Sequence, residues 1–141
     1  ADSLPLESES VDLAVSRQML MHLSPEELEQ HFCEVSRVLR QDCAYIFTVT
    51  GPSYEQTKHK NADRLKQGEK YAYIHGGLES THLLDQYFHD FDGYFKALES
   101  SGLSFDSMPE PITAVVAGFE ETHARYYDRS VPMSFLFRAR K

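Results

Sequence analysis

The stretch Ser24-Pro25-Glu26-Glu27 spells out a helix start. Ser24 suits the N-cap, Pro25 the first helical position, and Glu27 the reciprocal member of a capping box. From there Leu28, Phe32, Val35 and Leu39 recur at i, i+4, i+7 and i+11, an apolar stripe along one face. Glu26 and Glu27 suit the positive end of the helix dipole, and Arg37 and Arg40 the other end. The helix lies between two β-compatible runs, VDLAVS at 11–16 and AYIFTVT at 44–50, with RQDC at 40–43 as the return turn. The first run is short and mostly apolar, as in a strand covered on both faces. The second is rich in aromatic and β-branched residues. Strand, helix and strand joined by short connections make a parallel crossover, which is right-handed almost without exception.

The rest of the chain is read around this unit. ADSLPLESES at 1–10 is a polar connection with an apolar knot at Leu4, Pro5 and Leu6, and Gly51-Pro52 ends the second strand. Residues 53–90 are polar and partly helical in expectation, an excursion above the sheet with a flexible Gly76-Gly77. A further helix is expected with Asp90 or Asp92 as N-cap, Phe91, Phe95 and Leu98 inward, and Gly102 as its stop. LSFDSM at 103–108 reads as a strand. MSFLFRAR at 133–140 reads as another, by alternation of Met133, Phe135 and Phe137 against Ser134, Leu136 and Arg138. Between them, 112–130 is a second excursion.

The 141 residues suit one domain, and a net charge of −8, from 22 acidic and 14 basic side chains, argues against nucleic acid as a direct partner. No apolar run is long enough to span a bilayer, and the first residues lack the basic and apolar regions of a signal peptide. The expected setting is cytoplasmic, with no membrane partner. Cys33 and Cys43 form neither a CxxC pair nor a zinc spacing, and Cys33 is expected as a small core residue of the helix.

Ordered segments along the chain carry a resemblance: LPL at 4–6, VDLAVS at 11–16, MHLSPEE at 21–27, SRVL at 36–39, FKALESSGL at 95–103 and PMSFLFRARK at 132–141. Together they resemble the second half of the class I S-adenosylmethionine (SAM) methyltransferases, in the branch typified by ubiquinone and menaquinone biosynthesis. The resemblance implies an α/β fold: the second half of a Rossmann-like methyltransferase sheet, parallel strands closed by a final antiparallel one. Two departures stand out. Gln41-Asp42-Cys43 replaces the family's Pro-Gly-Gly. In addition, no Gly-x-Gly occurs among the glycines at 51, 68, 76, 77, 93, 102 and 118. Glycines of that turn let backbone N–H groups approach the cofactor. The glycine-loop half is therefore expected to be missing, with residue 1 in the loop before the family's fourth strand, and the cofactor site to be incomplete in this chain, which is expected to be inactive by itself.

The resemblance implies SAM as cofactor and a small-molecule methyl acceptor. It places Ala1 and Asp2 beside the adenine, and Ser16, Arg17 and Gln18 on the wall beside the methionine part; Arg17 is alternatively a surface charge. Methyl transfer from a sulfonium is an in-line displacement, so alignment and desolvation dominate, with a base needed only where the acceptor loses a proton. His22 and His75 are the candidate bases, and Tyr54, Tyr73 and His82 the candidate substrate contacts. For His22 the alternative is local packing and hydrogen bonding. His75, His82 and His89 recur every seven residues, but without an i, i+4 pair, so no metal is expected.

If the first half is missing, VDLAVS presents an unpaired apolar edge, which recruits partners unless covered. A homo-oligomer, or a chain supplying the missing half, is the expected partner. The alternative to an enzyme is a non-catalytic methyltransferase-like interaction module.

Overall fold

The structure, a computed structural model, describes residues 3–53, 65–76, 81–112 and 134–141; at 73–76, 81–83 and 112 it describes the backbone alone. The first unit follows the expected order: β1 (Val11–Arg17), a 3-10 turn (Leu20–His22), α1 (Pro25–Val38) and β2 (Leu39–Thr50). The capping box at the start of α1 is complete. The Glu27 N–H donates to Ser24 Oγ, and the Ser24 N–H donates to the Glu27 carboxylate. Leu28, Phe32, Val35, Val38 and Leu39 are buried, so the apolar stripe is the packed face. Cys33 is exposed rather than in the core, because it lies about 100° around the helix from Phe32.

β1 and β2 pair in parallel, with Leu13 opposite Ala44 and Arg17 opposite Thr48. The register is irregular just before this, between Val11 and Leu13. Here the turn expected at 40–43 is absorbed into β2 as a distortion. Asp42 holds φ +62°, the left-handed conformation that suits glycine and that Asp tolerates better than most residues.

The remaining elements are β3 (Lys70–Gly76), β4 (Thr81–Tyr87), α2 (Phe91–Ser100), β5 (Ser104–Phe105), β6 (Glu110–Ile112) and β7 (Ser134–Arg140). The main sheet has the order β1-β2-β7-β5, with β6 also on β7. β7 is antiparallel to β2, with Ala44 opposite Arg140 and Thr50 opposite Ser134. The strand expected at 103–108 is confined to β5, Ser104–Phe105; β6 lies beyond it, and both pair with β7. Between them Asp106 ion-pairs with both Arg138 and Arg140. Pro109 and Pro111 lack the N–H that a continuous ladder needs.

Within the excursion at 53–90, expected to be partly helical, Ser53 is helical, while Lys70–Gly76 and Thr81–Tyr87 are strands. β3 and β4 form an antiparallel hairpin, a separate two-stranded sheet. KYAYIHG carries the tyrosines and isoleucine that favour strands, and Gly76 falls at its turn end. Of the second excursion, 112–130, only Ile112 at the end of β6 is described; the rest lies outside the described residues.

Both helices pack on one face of the main sheet. Tyr45, Phe47 and Val49 of β2 and Phe137 and Ala139 of β7 are buried there. Phe47 stacks on Phe137 at a centroid distance of 4.8 Å, and both meet Tyr94 of α2. Asp90 caps α2 by accepting from the Gly93 N–H, as expected. The alternate residues of β2, from Ala44 to Thr50, are only partly buried, and beside them Leu13 and Val15 are 52% and 66% exposed. Within the described residues, the second face and the outer edge of β1 are open.

Candidate functional site

The C-terminal ends of β1 and β2, the 3-10 turn and the hairpin converge at one end of the sheet. Ser16 and Arg17, expected beside the cofactor, are the last residues of β1, and Gln18 follows it. Ser16 is half-buried, its hydroxyl 2.7 Å from the Tyr45 phenol oxygen. Tyr45 is 1% exposed and its oxygen also lies 3.0 Å from His31 Nε2. Burial, only partly offset by the Ser16 hydrogen bond, pushes the Tyr45 phenol well above its ordinary value, so it stays protonated. Burial likewise lowers His31.

Gln18 takes the left-handed conformation, φ +48°. Its N–H donates to the Thr48 carbonyl at 3.0 Å, while its side chain reaches across the sheet. Thr50 Oγ1 donates to Gln18 Oε1 at 2.9 Å, and Gln18 Nε2 donates to Ser134 Oγ at 3.1 Å. Gln18 therefore ties β1, β2 and β7 together at the end where the loops emerge. Arg17, between them, is exposed and has no hydrogen bond or ion pair among the described residues.

His22 ends the 3-10 turn, exposed, with Nδ1 3.1 Å from the Asp85 carbonyl of β4. A carbonyl only accepts, so Nδ1 carries the proton, and in the neutral ring Nε2 keeps its lone pair. Of the two sequence alternatives for His22, the described contact is the local one, through Nδ1. His75 and His82 are opposed in the hairpin register, and Tyr73 stands opposite Leu84. The seven-residue spacing of these histidines crosses a hairpin turn and is not two turns of a helix. Tyr54, Ala1 and Asp2 lie outside the described residues. Among the described residues no group of His, Cys, Asp and Glu is placed to hold a metal.

The hairpin's return to α2 is fixed by His89, only 4% exposed. Its Nε2 donates to the Leu23 carbonyl at 2.9 Å, and Gln67 Nε2 donates to its Nδ1 at 3.1 Å. Gln67 Oε1 accepts from the Asp90 N–H, so every polar atom of the pair has a partner. Sequence reasoning missed the supports His31, Tyr45, Gln67 and His89. The one signal was Tyr45, a phenol in a strand destined for burial, which requires a hydrogen-bond partner.

Compared with known proteins, residues 1–47 match the sequence model of a family described as "Methyltransferase domain". No curated protein matches. Among solved structures, a SAM-dependent methyltransferase from Mesorhizobium loti superposes with a TM-score of 0.66 at 17% identity, over 99% of this chain and 66% of that one. One from Methanosarcina mazei gives a TM-score of 0.68 at 15% identity, over 99% and 63%. The [4+2]-cyclase SpnF gives 0.56 at 15% identity, over 99% and 53%. The chain has the Rossmann-like fold of the class I SAM-dependent methyltransferases and spans about two thirds of the length of the first two neighbours. The cyclase in this set bears out that a fold of this kind does not fix the reaction.

Proposed function

We propose that this chain is the C-terminal part of a SAM-dependent methyltransferase that acts on a small molecule, in the ubiquinone and menaquinone-biosynthesis-like branch. The observation that carries it is the sheet order: the closing antiparallel strand sits between β2 and β5, with the loop after β1 at the sheet's C-terminal end. Ligands of open α/β sheets bind outside that end. The match of residues 1–47 to a methyltransferase domain supports the reading.

The wall fits the amino-acid end of the cofactor. Arg17, with no hydrogen bond or ion pair among the described residues, offers a guanidinium for a carboxylate, and Ser16 and Gln18 tie this end of β1 to β2 and β7. The adenosine end needs a glycine turn of a kind these 141 residues lack. When bound, the cofactor supplies an electrophilic methyl group on a sulfonium. His22 stands ready to take the proton of an acceptor at Nε2, because its Nδ1–H is occupied by Asp85. The hairpin, with Tyr73, His75 and His82, is the cover that excludes water from the acceptor, and Tyr54 belongs to the same excursion. The setting is cytoplasmic.

S-adenosylhomocysteine, the product, added to the isotope-labelled chain tests this. Weak binding is expected, with amide shifts at residues 16–18 and a loss of those shifts in Arg17→Ala. If residues 16–18 do not respond up to the solubility limit, the wall assignment is wrong.

A second reading, a non-catalytic interaction module, is favoured by the exposure of Leu13 and Val15 on the edge strand. The two readings separate on ligand response: the module self-associates without responding to S-adenosylhomocysteine.

A further inference from the structure

The cofactor wall contains a hydrogen-bonded chain that the methyl-transfer chemistry does not itself require. It runs from His31 Nε2 through the Tyr45 phenol to Ser16 Oγ, with separations of 3.0 and 2.7 Å. It links α1 to β2 to β1, and its middle member is sealed from water. His31 also packs on the rings of Phe32 and Tyr45, at centroid distances of 5.8 and 6.0 Å.

A phenol has one proton, so the direction of this chain is not free. If His31 Nε2 is unprotonated, Tyr45 donates to it and accepts from Ser16; the Ser16 hydroxyl then turns inward and leaves only lone pairs for the site. If Nε2 carries a proton, His31 donates to Tyr45 and Tyr45 donates to Ser16; the Ser16 proton is then released outward as a donor. The neutral ring permits either direction. The imidazolium permits only the second.

We propose that Tyr45 and His31 are positioning residues for the Ser16 hydroxyl, the proton on His31 setting whether Ser16 presents a donor or lone pairs to a ligand at the end of β1. This rests on the reading of Ser16 as part of the cofactor wall. The cofactor's amino-acid end carries both a carboxylate, which takes donors, and positive groups, which take lone pairs. The direction of the chain therefore selects which of these Ser16 meets.

After burial, the one charge that bears on His31 is the positive N-terminus, which also favours the neutral ring; few other groups compete for its control. From β2 the titratable group is Tyr45 itself. On α1, Glu27 and Glu34 lie a turn to either side, but Glu27 is engaged with Ser24, and Glu34 with Arg37 and the Leu4 N–H. On β1, Asp12 is paired with Arg40. No ion pair reaches His31 among the described residues. Burial favours the neutral ring, so the outward-donor state grows on acidification.

The test is a pH titration of the assigned His31 imidazole by nitrogen-resolved NMR in the full 141-residue chain, alone and with S-adenosylhomocysteine. Four proteins are compared: wild type, Ser16→Ala, Tyr45→Phe and the double variant. Tyr45→Phe keeps the ring and its packing. Ser16→Ala is expected to shift the His31 midpoint and tautomer balance when Tyr45 is present, and to do nothing in the Tyr45→Phe background. An equal effect in both backgrounds, or none in either, overturns the proposal. With S-adenosylhomocysteine, the ligand shift of the Ser16 amide is expected to follow the His31 midpoint in wild type and to be flat with pH in Tyr45→Phe. The same pH dependence in Tyr45→Phe also overturns it. If no protein responds to the ligand, the cofactor-wall reading fails, while the imidazole comparison still decides for or against the directional chain.

Discussion

His89 donates from Nε2 to the Leu23 carbonyl across 2.9 Å, joining the end of the hairpin to the loop that precedes α1. The imidazole is buried, and its other nitrogen accepts from Gln67, so this link carries no free polar atom. Replacing it leaves the Leu23 carbonyl and the Gln67 amide without their partner, a loss of roughly 1–3 kcal/mol. His89→Gln should therefore lower stability by about that amount. It should also raise hydrogen exchange in β4 (residues 81–87) more than in α1. Uniform acceleration across both would show that the contact does not serve the hairpin specifically.

Acid should weaken the fold before any carboxylate titrates. Burial, the leading cause for both groups, holds His31 and His89 below the ordinary histidine value of 6.5; for His89 the Leu23 hydrogen bond and Asp90 oppose it in part. In the unfolded chain both bind protons as pH drops through about 6.5, whereas the folded forms resist until lower pH. The unfolded state thus holds more protons in that window, and stability falls with falling pH there while being fully present above it. Thermal midpoints should be level above about pH 7 and decline below about 6.5. A midpoint that rises on acidification would contradict this.

Asp42 occupies a conformation for which glycine has no steric cost, φ +62°, on an exposed stretch of β2. Asp42→Gly relieves that cost and adds some freedom to the unfolded chain, leaving a net gain of up to about 1 kcal/mol. Urea denaturation at constant m-value would read it. Destabilisation would mean that the Asp side chain contributes more than its backbone costs.

The exposed pair Leu13 and Val15 predicts self-association. Sedimentation velocity should show a mass that rises with concentration, and Leu13→Lys together with Val15→Lys should return a monomer, since charge on an edge blocks pairing. A monomer in wild type at high concentration would remove the support for the interaction reading.

The parts of the fold legible in the sequence are those where local chemistry and packing agree. Ser24, Pro25 and Glu27 begin a helix by their own hydrogen bonding, and Leu28, Phe32 and Val35 place its buried face. Asp90 and Gly102 bound α2 for the same reason, with Gly102 at φ +78°. Cys33 was misplaced because burial of one helical position depends on where the stripe ends, which a single residue does not announce. The hairpin was missed because LeuLeuAspGlnTyr alternates poorly, and only its register with Lys70–Gly76 makes it a strand. The candidates Ser16, Arg17 and Gln18 were legible only by their place at the end of the first strand; Ser16 and Arg17 close β1 and Gln18 follows it. Their supports were not, because Tyr45 meets Ser16 from 29 residues away along the chain, and His31 meets Tyr45 from 14. No periodicity encodes such a meeting.

The two helices lie on one face of the main sheet and leave Leu13, Val15 and their neighbours in contact with solvent. Much of the heat-capacity increment of unfolding, about 12–15 cal/mol/K per residue in ordinary domains, comes from wetting apolar surface that was dry. A monomer of this chain has part of that surface wet from the outset. Its increment per residue, and with it the curvature of stability against temperature, should fall below the ordinary range. Covering the open face, by whatever partner, would restore a steeper dome and with it a sharper loss of stability in the cold.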